Sequence, residues 1–139
     1  MKDSSIVIFS DGGSRGNPGP AACAFTVFDN KKLIYKDSKY LGIATNNTAE
    51  YSAVILALKW LISEGVARSI DFNLDSELVV RQLTGVYKIK NKDIMKYVLE
   101  IKELQRINNL EIVWTHVPRE KNKIADKLVN EKLDESSRL

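Results

Sequence analysis

The chain has 139 residues, of which 44% are hydrophobic and 28% charged, with a formal net charge of +3 and a pI near 8.9. This is the profile of one globular domain, with room for one good core. No stretch reaches the about 18 apolar residues that a membrane span requires and no apolar leader is present, so the expectation is a soluble, cytoplasmic protein. Cys23 is the only cysteine, which excludes an intrachain disulfide; in the apolar run from Ala21 to Val27 it reads as a small buried residue. The lysines are spread along the chain, which permits a polyanionic partner without demanding one. A single domain is expected over residues 1–139, with its core in about 5–135 and a loose tail at 134–139.

Ile6 to Phe9 is an apolar run that reads as a strand buried on both faces, hence a central one. Asp11 is expected just past its end, held by a rigid element yet at the rim of the sheet. Gly12, Gly13, Gly16 and Gly19 with Pro18 and Pro20 then predict a loop whose backbone N–H groups can approach a ligand. An ordinary turn aspartate explains the Asp-Gly-Gly run as well. Ala21–Phe28 predicts a second strand, Asp29 to Lys32 a hairpin turn, and the more polar Leu33–Leu41 a third strand at an edge. Asn46, Asn47 and Thr48 offer capping oxygens to a helix over about 48–64. Its apolar face holds Ala53, Leu56, Ala57, Trp60 and Leu61, and Glu50 in its first turn shares that face. The helix dipole accounts for an acid near this end but not for its inward placement.

Ile70, Phe72 and Leu74 alternate with polar residues in a fourth strand closed by Asp75. Ser76 caps a helix over Glu77–Leu83, which Gly85 ends. Residues 91–107 form another amphipathic helix with Ile94, Val98, Ile101 and Leu104 to Ile107 inward. Leu110–Trp114 gives a fifth strand with His116 after it, and Asn122 starts a last helix with Ile124, Ala125, Leu128, Val129 and Leu133 inward and Asp126 in its first turn. Three strands joined by short turns, then strands alternating with helices, predict an α/β fold: a five-stranded mixed sheet, antiparallel then parallel, flanked by helices.

Asp11 and Asp75 stand at strand ends, Glu50 and Asp126 in first turns of helices, and such places can converge on one edge of a sheet. Two carboxylates about 4 Å apart repel by about 4 kcal/mol at an effective dielectric of 20, so a cluster of four needs a cation. Oxygen-only donors suit Mg²⁺ or Mn²⁺ better than Zn²⁺. Two such ions about 3.5 to 4 Å apart form the arrangement that hydrolyses phosphodiesters.

The segments SDGGSRGNPGP, TNNTAEY, LDSELVV and WTHVPREKNKIAD resemble, in order and near spacing, those of the type 1 ribonucleases H, and the resemblance covers roughly residues 5–135. It implies a ribonuclease H-like fold and endonucleolytic cleavage of the RNA strand of RNA/DNA hybrids by two Mg²⁺ ions, with Mn²⁺ able to substitute, leaving 5′-phosphate and 3′-hydroxyl ends. The tetrad it implies falls on Asp11, Glu50, Asp75 and Asp126. His116, ten residues before Asp126, matches the family's mobile histidine, and an imidazole suits proton transfer at neutral pH; as a lone histidine after a strand it reads equally as a loop residue. Asn17, Asn46 and Asn47 match positions that touch the minor groove of the hybrid, and Thr45 one near a DNA-strand phosphate. Backbone groups of Gly12, Gly13 and Ser14 are placed to read 2′-hydroxyls, and Ser76 adjoins the site; helix capping is the plain alternative for Asn46 and Asn47.

Residues 84–92 are too few for the basic helix of longer bacterial members, and Lys88, Lys90 and Lys92 leave only a basic strip. The chain is similar in this to a short prokaryotic branch, some members of which also cleave double-stranded RNA. A monomer without a preceding hybrid-binding module is expected. Two alternatives stay open: a catalytically inert ribonuclease H-like domain that only binds nucleic acid, and a related exonuclease, which the missing Asp-x-Glu pair in the first strand disfavours.

Overall fold

Alternation along the first strand decides the layering. Ile6 and Ile8 are buried while Val7 and Phe9 between them are only half-buried, so one face of the sheet carries the main core and the other is partly open. The computed structural model describes residues 5–66 and 68–137. Its elements are β1 (Ile6–Ser14), β2 (Gly19–Asp29), β3 (Lys32–Ala44), α1 (Asn46–Ser63), β4 (Ile70–Leu74), α2 (Glu77–Leu83), α3 (Lys92–Ile107), β5 (Ile112–His116), a 3₁₀ turn (Arg119–Lys121) and α4 (Lys123–Ser137). The sheet order is β3-β2-β1-β4-β5. β1, β2 and β3 pair antiparallel, while β4 and β5 run parallel to β1. The expected mixed sheet, with β1 central and β3 at an edge, is what forms.

Asn30 and Lys31, at φ 50° and 66°, make a two-residue turn between the paired Asp29 and Lys32, which matches the twist of a hairpin. The edge strand β3 keeps Leu33, Ile34 and Tyr35 partly exposed, with Lys32, Lys36 and Lys39 among them as charges that discourage pairing with another chain.

The main core lies between the sheet and α1, α2 and α3. Ile8, Phe25, Val27 and Phe72 of the strands meet Val54, Leu58 and Leu61 of α1, Val79 of α2 and Ile101 of α3. Helix α1 is buried more widely than one stripe: Ala49, Tyr51, Val54, Ile55 and Leu58 are buried besides Ala53, Ala57 and Leu61, whereas Leu56 and Trp60 are only partly covered. A helix that crosses a sheet beneath another helix has neighbours on two sides, and a single-face reading misses that. On the opposite face Ala22 and Ala24 of β2 give α4 room to pack through Val129 and Leu133.

Several expected boundaries shift. β1 continues through Asp11, Gly12, Gly13 and Ser14, paired to β2 as far as Ser14↔Ala21, so these residues are strand and the loop is confined to residues 15–18. The cap of α1 is Thr45, whose Oγ1 accepts from the Thr48 N–H; Asn46 and Asn47 are already helical, which moves Glu50 into the second turn. β5 extends to His116. Ile107 and Ile124, expected inward, are 60% and 46% exposed, the first at a helix end beyond the sheet and the second at the open start of α4. The tail expected from Asp134 is helical through Ser137, where Asp134 pairs with Arg15 at 2.8 Å; Arg138 and Leu139 lie outside the described residues. Residues 84–91 join α2 to α3 with no further helix, as the short linker implied.

Gly12 has a specific task in this packing. A β-carbon there would overlap the backbone of Ala49 and Glu50, so the missing side chain lets α1 lie directly on β1. Because backbone cannot move aside cheaply, Gly12→Ala is expected to lower stability by about 3 kcal/mol or more, read from urea unfolding; a loss below about 1 kcal/mol contradicts this contact.

Candidate metal centre and nucleic-acid cleft

β1 and β4 share rungs only from Ile6↔Ile70 to Ser10↔Leu74. The next residue on each strand is an acid, Asp11 and Asp75. Asp11 stays locked to β2 through its pairing with Ala24 but has no β4 partner, so its carboxyl sits in a notch where the parallel ladder ends. α1, brought close by Gly12, carries Glu50 to the same notch. Carboxylate oxygens of Asp11, Glu50 and Asp75 lie within 4.8 Å of one another. Asp126, in the first turn of α4, arrives from the other face and hydrogen-bonds Asp11. The fourth acid therefore stands beside the tight trio, in contact with one of its members.

The electrostatics follow from burial. Asp11 is 9% exposed, and its carboxyl is pushed up to about 8, first by burial and then by the charges of Asp75, Glu50 and Asp126. Glu50 is pushed up to about 7 mainly by burial; a hydrogen bond from the Ser76 hydroxyl pulls it down, Asp75 pushes it up and Arg119 pulls it down. Ser76 is thus shared between capping α2, where it accepts from the Val79 N–H at 3.3 Å, and holding Glu50. These acids are poorly hydrated and mutually repelling. With oxygen donors from three separate chain segments and no sulfur or imidazole among them, the set fits a hard divalent cation such as Mg²⁺ or Mn²⁺.

Two residues that the motifs did not single out complete the site. Asn122 is 1% exposed, and its Nδ2 donates to the Ser10 carbonyl at 2.8 Å and to Asp75 Oδ2 at 3.2 Å. It ties the start of α4 to the ends of β1 and β4 and orients Asp75. Arg119 lines the cleft and is the nearby positive charge that acts on Glu50. Asn122 reads as a helix start in the sequence; only its burial beside an acid reveals a second use.

Gly12, Gly13, Ser14 and Asn46 line the acidic cleft. Ser14 N–H donates to Asn46 Oδ1 at 2.8 Å, its hydroxyl to the Ala44 carbonyl at 2.8 Å, and Asn46 N–H donates to Asn17 Oδ1 at 3.1 Å. Asn46 therefore holds the end of β1 instead of capping its own helix. The side-chain amide nitrogens of Asn17 and Asn46 take no part in these bonds. Asn17, Thr45, Asn46 and Asn47 line an adjoining polar cleft whose far side is Asn91, Asp93 and Ile94 at the start of α3. His116, in contrast, is exposed and closes β5 opposite Leu74, outside the residues that line the acidic cleft.

The order β3-β2-β1-β4-β5, with a buried Asp11 and a half-buried Asp75 where its two central parallel strands part, is a ribonuclease H-like fold. A family described as reverse transcriptase-like matches residues 9–132. The crystal structure of LC11 ribonuclease H1, isolated from compost by a metagenomic approach and solved in complex with an RNA/DNA hybrid, superposes with a TM-score of 0.91 at 41% identity, covering 95% of this chain and 99% of that one. Ribonuclease H1 of the halophilic archaeon Halobacterium salinarum gives a TM-score of 0.88 at 37% identity, covering 95% and 99%. A bifunctional protein of Mycobacterium tuberculosis is 36% identical over 132 residues, which is 93% of this chain and 35% of that protein. The chain spans about a third of the length of the first curated relatives it matches. The chain belongs to the ribonuclease H family, on its type 1 branch.

The raised carboxyls set a pH dependence. Asp11 and Glu50 hold protons in the folded chain that the unfolded chain, with values of 3.8 and 4.5, has released. Their contribution to stability is complete below about pH 4 and is lost as the pH climbs through about 7 and 8. In EDTA the melting temperature is expected to fall from about pH 6 to about pH 8, Mg²⁺ to restore it, and Asp11→Asn to flatten the fall. A flat profile in the wild-type chain contradicts a buried, proton-holding cluster. Asn122→Ala is expected to raise the Mg²⁺ concentration for half-maximal thermal stabilisation by about 10- to 100-fold, because a freed ligand must be ordered when an ion binds.

Proposed function

We propose that this chain is an endoribonuclease that hydrolyses the RNA strand of RNA/DNA hybrids, using two Mg²⁺ ions that Mn²⁺ can replace, and leaves 5′-phosphate and 3′-hydroxyl ends. The observation that carries the reading is the convergence of Asp11, Glu50 and Asp75 within 4.8 Å in a chain 41% identical to a ribonuclease H1 crystallised with such a hybrid. Asp11, Glu50 and Asp75 would hold the ions, with Asp126 completing their surroundings. When bound, the ions supply an activated water and stabilise the leaving oxygen.

The remaining work falls to the chain. Ser76 and Asn122 orient Glu50 and Asp75, and Arg119 offsets part of the negative charge before substrate arrives. The Ser14–Asn46–Asn17 bonds fix the lip of the cleft. Short amides at Asn17, Asn46 and Asn47 reach sugars and base edges in a wide, shallow minor groove, and Thr45 at the start of α1 lies where backbone N–H groups favour a phosphate. His116 serves proton transfer or product release from the rim of the site. Without a basic helix between α2 and α3 the grip on substrate is weaker and more sensitive to salt. Double-stranded RNA is a second substrate, and the enzyme acts as a monomer in the cytoplasm.

Matched RNA/DNA, RNA/RNA and DNA/DNA duplexes incubated with Mg²⁺, Mn²⁺ or EDTA test this. Metal-dependent internal cuts in the RNA of the hybrid are expected, with slower cuts in RNA/RNA and none in DNA/DNA. Asp11→Asn should abolish cleavage while hybrid binding persists. A folded wild-type chain that binds hybrid and cuts nothing is an inert binding domain instead.

A further inference from the structure

Among the residues that line the acidic cleft, Arg15 and Arg119 carry the positive charges. Arg119 acts on Glu50, whereas Arg15, one residue past the end of β1, is fastened to α4. Its backbone is fixed: the Arg15 N–H donates to the Pro20 carbonyl at 2.8 Å, and Gly19 lies so close to the Arg15 carbonyl that a β-carbon there would overlap it. Its head is fixed as well. Nη2 lies 2.8 Å from Asp134 Oδ1 and donates to the Asn130 carbonyl and to Asn130 Oδ1, each at 3.4 Å. Nε and Nη1 have no acceptor among the described residues. The side chain is 44% exposed, and an ion pair this exposed contributes little to stability. Clasping α4 is therefore a weak reason for an arginine here. What the arrangement achieves is a guanidinium held still inside the cleft, with two of its nitrogens left over for a ligand.

We propose that Arg15 is a substrate-binding residue that holds a phosphate of the RNA strand beside the scissile one. The proposal rests on the ribonuclease H reading of the cleft and adds to it a residue that recognises backbone charge. A strand advances about 3.3 Å per residue, so Arg15, four positions beyond Asp11, stands about 13 Å along from the metal centre. That is too far for the phosphate being cut and suits a neighbour on the same strand. The strand is RNA, since Arg15 continues the edge formed by Gly12, Gly13 and Ser14, whose backbone groups suit 2′-hydroxyls. A guanidinium is always charged and offers phosphate oxygens a planar fork of donors; one already tethered loses little freedom on binding. Asp11, Glu50, Asp75 and Asp126 line the same cleft and repel a polyanion, and a fixed cation among its walls offsets part of that repulsion.

The test is hybrid binding by the full chain in EDTA, read as fluorescence anisotropy of a labelled RNA/DNA duplex across a salt series. Arg15→Ala should weaken binding roughly 5- to 20-fold at low salt and reduce the slope of log affinity against log salt by about 1, with the melting temperature unchanged. Arg15→Lys should restore the slope and part of the affinity. Asp134→Asn, which removes a negative charge and keeps an acceptor for Nη2, should bind at least as tightly as the wild-type chain. Replacing single RNA phosphates by uncharged methylphosphonates locates the partner: one replacement beside the cleavage position should weaken the wild type and leave Arg15→Ala unaffected. In Mg²⁺ the loss in Arg15→Ala should appear in KM and not in kcat. Equal weakening by Arg15→Ala and Asp134→Asn, an unchanged salt slope in Arg15→Ala, or coupling only to phosphates of the DNA strand overturns the proposal. A wild-type chain whose hybrid binding depends on Arg15 in this way but which cuts nothing in Mg²⁺ overturns the nuclease reading alone, and a folded chain that binds no hybrid overturns both.

Discussion

Everything around the cleft answers to the repulsion between carboxylates that the sheet holds too close for comfort. Asp11 and Asp75 follow the last shared rung of two parallel strands, and neither strand can draw its acid back without breaking that ladder. Charges that could move would separate; charges fixed to rigid strands stay where they are and wait for a cation. The raised carboxyls of Asp11 and Glu50 are the form this takes when no cation is bound, a proton standing in for part of the missing charge. The same fixity is what a metal ion requires, since ligands already in place need not be ordered as it binds.

Much of the remaining design brings elements close to this notch. Gly12 removes the one β-carbon that would hold α1 away, and Ala22 and Ala24 do the like for α4 on the other face. Small residues on the central strands thus serve both faces: they set the distance at which Glu50 and Asp126 arrive. Asn122 and Ser76 then correct the aim of two acids with single hydrogen bonds, each residue being also the start of a helix. Using helix starts in this way places polar groups, which are needed there anyway, against the acids.

The sequence made the sheet and its order of pairing legible, because strand and helix periods differ and the turns are short. It also displayed the acids, since each interrupts an apolar pattern at an element's end. It did not display where β1 stops: Gly12 and Gly13 look like loop, and only the pairing with Ala22 and Cys23 makes them strand. Nor did it show that Asp126 touches Asp11 while standing apart from the other two, a matter of how α4 docks. Asn46 illustrates the limit well. An asparagine at a helix start reads as a cap, yet here Thr45 caps and Asn46 bonds Ser14, thirty-two positions away along the chain. Arg119 and Asn122 escaped for the same reason: their roles lie in long-range contacts that no local pattern encodes.

The acids come from β1, α1, the end of β4 and α4, so the cluster gathers contributions from nearly the full length of the described chain. During synthesis the chain emerges from its amino-terminal end and folds as it goes. Until α4 has emerged and packed on Ala22 and Ala24, the growing polypeptide lacks both Asp126 and the amide that steadies Asp75. A nascent chain therefore carries an unfinished centre, and the docking of α4 completes it.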